Sequence, residues 1–246
     1  MRVEVASRLI LSMVVLGPSA TAAAQKTDTP KFIEFLTDDD AAPDGARMAG
    51  LLAALRASAT ARDLHWIATS TLTGTLNQTI AIFKYTDLAS VQRAHDVTQG
   101  VWQALPERTR PRLHSRVFEL APDQTFGDGL VPWSKATAFS LYSVSVSSGG
   151  YGEYADQQQL AAQLLTKAHV TDEEWLGYTV RYGPETPVFI FITPLRSVAS
   201  LDSSVSHADV LPPPVDRARD VALRESVLGS SQTLVVVRSE LGSLDR

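Results

Sequence analysis

The feature that most limits what this chain can become is a passage that occurs twice. Trp175 to Asp202 (WLGYTVRYGPETPVFIFITPLRSVASLD) reads as a strand, a tight connection at Gly183-Pro184, a second strand and the start of a helix. Trp66 to Val91 (WIATSTLTGTLNQTIAIFKYTDLASV) reads the same way. Laid over each other, Trp66 meets Trp175, Gly74 meets Gly183, Ile80 meets Phe189 and Ile82 meets Phe191. One inserted residue then brings Leu88 to Val198 and Val91 to Leu201. The duplication implies a domain used twice.

The flanking sequence completes each copy. Lys31 to Leu36 alternates apolar and charged residues and reads as a strand. Met48, Leu51, Leu52 and Leu55 fall at helical spacing, with Asp44 as the expected N-cap. Leu64 to Thr73 and Thr79 to Tyr85 form the hairpin. Asp87 caps a helix that carries Val91, His95, Trp102 and Leu105 and stops at Pro106, and Leu113 to Leu120 is the fourth strand. The second copy runs from a strand ending at Val146 through a helix with Tyr154, Leu160, Ala161, Leu164 and Leu165 to the Trp175 hairpin. A helix then follows from Ser197 to Asp209, is broken at Pro212-Pro213-Pro214, and restarts over Val215 to Leu228. Gln232 to Arg238 is the last strand. In the first strand of this copy Phe139 and Leu141 share one phase and Val144 and Val146 the other, which predicts a bulge or a strand apolar on both faces.

Each copy therefore reads β-α-β-β-α-β, the order of a ferredoxin-like unit with both helices on one face of a four-stranded antiparallel sheet. Strands such as FIFIT have apolar residues in both phases, so the other sheet face needs cover too. The expected fold is α+β: two tandem ferredoxin-like units packed sheet to sheet as a pseudo-dimeric α/β barrel. The boundaries are residues 25–120 for the first unit, 121–134 for a Pro- and Gly-rich linker, and 135–246 for the second unit.

Residues 1–24 read as a signal peptide. Arg2 and Arg8 give a basic start ahead of an apolar run, Leu9 to Leu16, and Ala22-Ala23-Ala24 offers small residues for cleavage before Gln25. The run is too short to span a bilayer, so the mature chain is expected to be exported, periplasmic or secreted, without a membrane anchor. The net charge of −5 argues against nucleic acid as a partner. The chain has no cysteine, which excludes disulfides, zinc-thiolate sites and a cysteine nucleophile.

The segments Glu173 to Tyr178 (EEWLGY) and Phe189 to Asp202 (FIFITPLRSVASLD), behind that leader, resemble the dimeric α/β-barrel superfamily in tandem form. The chain is similar to secreted bacterial proteins of that fold and, more distantly, to antibiotic-biosynthesis-monooxygenase and NIPSNAP-type domains. The resemblance implies a fold that hosts cofactor-free oxygenases, haem enzymes, isomerases and plain ligand binders, and it implies no single activity.

No HExxH, GxSxG, P-loop or dinucleotide fingerprint is present. Asn77-Gln78-Thr79 matches a glycosylation acceptor but reads as turn chemistry, as does Gly149 to Gly152. The histidines are scattered, and no metal or other cofactor is expected. His95 reads as a boundary residue with no acid to orient it, and Glu173-Glu174 as solvated surface. The suggestive group is aromatic. Tyr142, Tyr154, Trp175, Tyr178, Phe189 and Phe191, with His207, are expected to line a cleft between sheet and helices in the second unit. The leading expectation is an exported binder of a small apolar or aromatic molecule, or a scaffold. The alternatives are a cofactor-independent oxygenase or isomerase, and a haem enzyme anchored by His207 or His114.

Overall fold

The computed structural model describes residues 29–39, 45–73, 78–127, 131–171, 173–182, 187–203 and 225–243. Asp44, His207, the Gly74 and Gly183 connections, the leader and the triple proline lie outside them. Eight strands form one closed antiparallel barrel, with helices on its outside. β1 is Phe32–Asp38, β2 Trp66–Thr71, β3 Thr79–Tyr85 and β4 Leu113–Leu120. β5 is Ala138–Val146, β6 Leu176–Tyr182, β7 Val188–Leu195 and β8 Val227–Val237. Around the barrel the order is β1-β3-β2-β8-β5-β7-β6-β4. The first four strands are thus ordered β4-β1-β3-β2 and the last four β8-β5-β7-β6.

The expectation of two separate sheets facing one another is corrected by the edge pairings. β2 pairs with β8, and β4 pairs with β6. An open four-stranded sheet leaves two rows of unpaired backbone groups, and closure satisfies them. The facing surfaces become a single barrel interior, packed by Ile33, Phe35, Ile67, Ile82, Phe118, Phe139, Leu141, Ile190, Ile192 and Val235. Phe35 meets Phe118 edge-on inside it, with ring centroids 5.6 Å apart.

Alternation sends the other phase of each strand outward, under the helices. In the first half α1 (Ala46–Ala57) lays Met48, Leu51, Leu52 and Leu55, all fully buried, over Leu36, Ala68 and Ala81. Gly45 caps α1 with a left-handed backbone (φ 62°), which glycine adopts without strain. α2 (Leu88–Ala104) starts as expected at Asp87, whose Oδ1 accepts from the Ser90 amide at 2.6 Å. In the second half α3 (Tyr151–Lys167) covers the sheet and ends in a Schellman turn. The His169 amide donates to Thr166 O and the Val170 amide to Leu165 O, both at 3.1 Å, with His169 left-handed at φ 56°.

Two further expectations change. The linker is ordered at its described residues: Phe126 bridges to Trp175, and Trp133 is buried in the barrel interior against Phe139. Gly127 makes that path possible. Its φ is +88°, and a Cβ there would stand 2.5 Å from Glu174 Cβ. The last strand begins at Val227, so Leu228 is strand rather than restarted helix. β5 offers nine residues of open edge, and pairing along it outweighs the weak strand pattern of VLGSS. Of the two readings expected for β5, a strand apolar on both faces is the one found: its register with β7 runs unbroken from Ala138 to Ser145, and its register with β8 shifts only between Ser145 and Val146. Phe139 and Leu141 point into the barrel, while Val144 and Val146 point out to α3.

Candidate functional site

Parity along the strands decides which of the expected cleft residues meet. In β7, Val188, Ile190 and Ile192 face the barrel interior, and Phe189 and Phe191 face out towards α3. Tyr142 on β5 shares the outer face, and Tyr154 reaches it from α3. Tyr154 packs on Phe189 at 4.7 Å between ring centroids, and Tyr151 stacks on the same ring at 5.0 Å. Tyr142 meets Phe191 at 6.3 Å. Trp175 packs between this cluster and Phe126, and its Nε1 donates to Gln124 O at 2.9 Å. Five of the seven expected residues therefore gather at the outer face of the second half.

Tyr178 is not with them. It faces the barrel interior, fully buried, and its hydroxyl donates to Pro30 O at 3.1 Å. That bond ties β6 to the residue just before β1. The paired registers also correct the alignment of the two hairpins. Ile67 pairs with Ile82, whereas Leu176 pairs with Ile192. Ile82 therefore matches Ile192 and Ile80 matches Ile190, so the extra residue lies in the connection between the strands and not after them. A slip of one residue exchanges the two faces, and FIFIT conceals the slip because both of its phases are apolar.

Sequence reading missed the polarity of α3. Gln157 and Gln158 are buried beside Tyr154. The Tyr154 hydroxyl and Gln157 Oε1 are buried with no hydrogen-bond partner. Each such atom costs about 1–3 kcal/mol relative to a satisfied one. Burial pushes the Tyr154 phenol well above its ordinary range, with Tyr142 adding to the effect. Burial also raises Tyr142, against an opposing hydrogen bond with Ser230. Both phenols stay protonated at any ordinary pH. An i, i+3 spacing of Tyr and Gln inside an otherwise apolar helix face was the available signal.

The outer face of the first half holds a different arrangement. Glu34 lies on the outward phase of β1, between Phe32 and Leu36, and its side chain is 3% exposed. Its Oε1 is 2.8 Å from His95 Nε2 on α2 and accepts from the Ser115 hydroxyl; its Oε2 accepts from the Tyr85 hydroxyl at 2.6 Å. Burial works to raise the Glu34 pKa. The His95 hydrogen bond and charge, with the Ser115 and Tyr85 hydroxyls, outweigh it and hold the carboxyl below its usual range. Tyr85 is pushed up by burial and by the Glu34 charge. The Glu34 bond raises His95, partly opposed by burial, with Asp96 helping. His95 therefore does have an acid to orient it, contrary to expectation. Glu34 sits 61 residues away, where no local pattern could reveal it.

The remaining candidates serve structure. Glu174 is buried, not solvated, and its Oε1 accepts from the Val131 amide at 3.1 Å. His114 has both ring nitrogens engaged: Nε2 accepts from Arg116 Nε at 3.1 Å, and Nδ1 stands 3.4 Å from an Asp39 oxygen. Those contacts do not fit an axial haem ligand.

An eight-stranded antiparallel barrel with its helices outside defines the class of fold. Solved structures of similar shape share this fold at low sequence identity. An anthrone oxidase-like protein superposes with a TM-score of 0.54 at 13% identity, covering 84% of this chain and 90% of its own. A monooxygenase-like protein from Lactobacillus acidophilus NCFM gives 0.48 at 10% identity, over 85% and 94% of the two chains. One from Fusobacterium nucleatum gives 0.49 at 12%, over 86% and 94%. At such identities the likeness is one of fold. No protein-family model and no curated protein matches the sequence.

Proposed function

We propose that this chain is an exported binder of a small apolar or aromatic molecule, with its site in the outer cleft of the second half. One observation carries the reading: the hydroxyl of Tyr154 is fully buried without a partner, in a cluster formed by Tyr142, Tyr151, Phe189 and Phe191. Trp175 and His207 belong to the proposed lining, and Tyr178 does not. Buried polar atoms in folded proteins are nearly always satisfied, so an exception at an aromatic face points to a missing partner. The proposed architecture is a tandem pair of ferredoxin-like units, 25–120 and 135–246, acting as an intramolecular pseudo-dimer across the 121–134 connection. Removal of residues 1–24 would leave Gln25 at the amino terminus, and amino-terminal sequencing of the exported protein checks that. Protein purified from its native host is expected to release a neutral aromatic compound on denaturation. If the extract is empty and a panel of aromatic probes raises Tm by nothing, the binding reading is wrong.

A second reading, a cofactor-independent oxygenase or isomerase, is favoured by Glu34 and His95. A buried carboxylate that fixes one imidazole nitrogen leaves the other to take a proton, the arrangement a general base needs. His95 is 45% exposed at its side chain, so a substrate could reach it. Since one solved neighbour is described as anthrone oxidase-like, oxygen uptake with an anthrone is the direct assay. Uptake that is lost in His95→Gln supports this reading, and no uptake by the wild type removes it.

A further inference from the structure

Four buried side-chain atoms lack a partner among the described residues: Gln124 Oε1, Trp133 Nε1, Tyr154 OH and Gln157 Oε1. Trp133 lies inside the barrel and Gln124 in the turn packed beside α3. Tyr154 and Gln157 differ from these two, because they stand one turn apart on the buried face of a single helix. Side chains at i and i+3 are neighbours on a helix surface. A phenylalanine and a methionine would fill the same space without leaving a polar atom unsatisfied. We propose that the Tyr154 hydroxyl and the Gln157 amide oxygen are paired anchors that select an uncharged ring compound bearing a hydroxyl. This rests on the binding reading above and adds the ligand's polarity to it.

The chemistry of the two atoms sets the complement. Tyr154 remains a phenol, so it donates to a ligand oxygen, while Gln157 Oε1 only accepts. One hydroxyl on a ring can accept from Tyr154 and donate to Gln157 at once. The ligand ring would join the edge of the aromatic group in which Tyr142 packs on Phe191 and Tyr154 on Phe189. A carboxylate in the same place would be costly. The atoms around it, Val144, Val146, Phe189 and Phe191, are apolar, and Glu153 and Asp156 are exposed on the same helix.

The test uses the full exported chain and three probes of one ring system: naphthalene, 2-naphthol and 2-naphthoate. Titration is expected to show 2-naphthol binding about tenfold tighter than naphthalene, as one to two net hydrogen bonds would give, and 2-naphthoate weaker than both. Tyr154→Phe and Gln157→Met should each remove most of the naphthol advantage over naphthalene. Equal affinities for naphthalene and 2-naphthol would overturn the anchor pair while leaving the cleft as a binding site. Binding of none of the three would overturn the binding reading and the anchor pair together. The ligand-free variants give an independent check. Tyr154→Phe should melt no lower than wild type, and a clear fall in Tm would mean that the hydroxyl already has a partner, which also overturns the proposal.

Discussion

The outer faces of the two halves fill the same space in opposite ways. In the first half the strands contribute small or medium residues at the centre, the Leu36–Ala81 pair, and α1 brings the bulk with Met48, Leu51, Leu52 and Leu55. At the matching ladder position of the second half the strands bring the bulk, as Tyr142–Phe191, and α3 brings Tyr154, Gln157, Gln158 and Ala161. The polar positions differ as well. Glu34, bonded by Ser115, His95 and Tyr85, has its ladder counterpart in Ser140, bonded by Gln232 Nε2 at 3.1 Å. The first half therefore buries a charge with every contact made. On this face the second half buries neutral groups and, among the described residues, leaves two of their atoms, the Tyr154 hydroxyl and Gln157 Oε1, unpaired. A satisfied charged network rigidifies its face, and the binding proposal rests on the unpaired neutral atoms of the other.

The largest expected contrast comes from cutting each network at its centre. Glu34→Ala strands the hydroxyls of Tyr85 and Ser115 and the ring of His95, and should lower unfolding stability by about 3 kcal/mol or more. Ser140→Ala removes one neutral bond and should cost about 1 kcal/mol. Urea unfolding of both variants measures the difference; similar losses would erase the distinction between the halves.

A single substitution type should next give opposite signs. Tyr85→Phe loses a hydrogen bond to a carboxylate and should cost about 1.5–3 kcal/mol. Tyr154→Phe removes an unsatisfied hydroxyl and should be neutral or stabilising. If both destabilise alike, Tyr154 is satisfied and the comparison fails.

The smallest effect is a pH dependence carried by the Glu34–His95 pair of the first half. His95 is raised above 6.5 in the folded protein, so its contribution is complete below 6.5 and is lost as pH rises through the folded value. Glu34 is lowered below 4.5, so its contribution is present above 4.5 and is lost as pH falls through the folded value. The half-exposed histidine limits the alkaline effect to under about 1 kcal/mol. Wild type should lose stability relative to His95→Gln as pH rises above 6.5 through the folded value, and parallel curves would show that the pair is not coupled to folding.

Much of the architecture was legible because it is written in local periodicity. β3 and β4 begin and end at the expected residues, α1 buries the expected four side chains, and Asp87 caps α2. Five of the seven proposed cleft residues do come together. Tyr178 went astray because a strand with apolar residues in both phases does not announce which phase faces in. His95 was misread because its partner lies on a distant strand. The linker was misread because Pro, Gly and Asp suggest exposure, while Phe126 and Trp133 anchor the chain from within the same stretch.

The sequence alone determined most of the strands and the helices α1, α2 and α3 in their order, since hydrophobic spacing and caps act within a few residues of each position. Only the tertiary structure decided that the sheet closes on itself and which strand phase faces the barrel. It also decided which polar side chains find partners. Those outcomes depend on long-range pairing: a strand edge or a buried carboxylate is satisfied by whatever group the fold carries to it, and that group is seldom near in sequence.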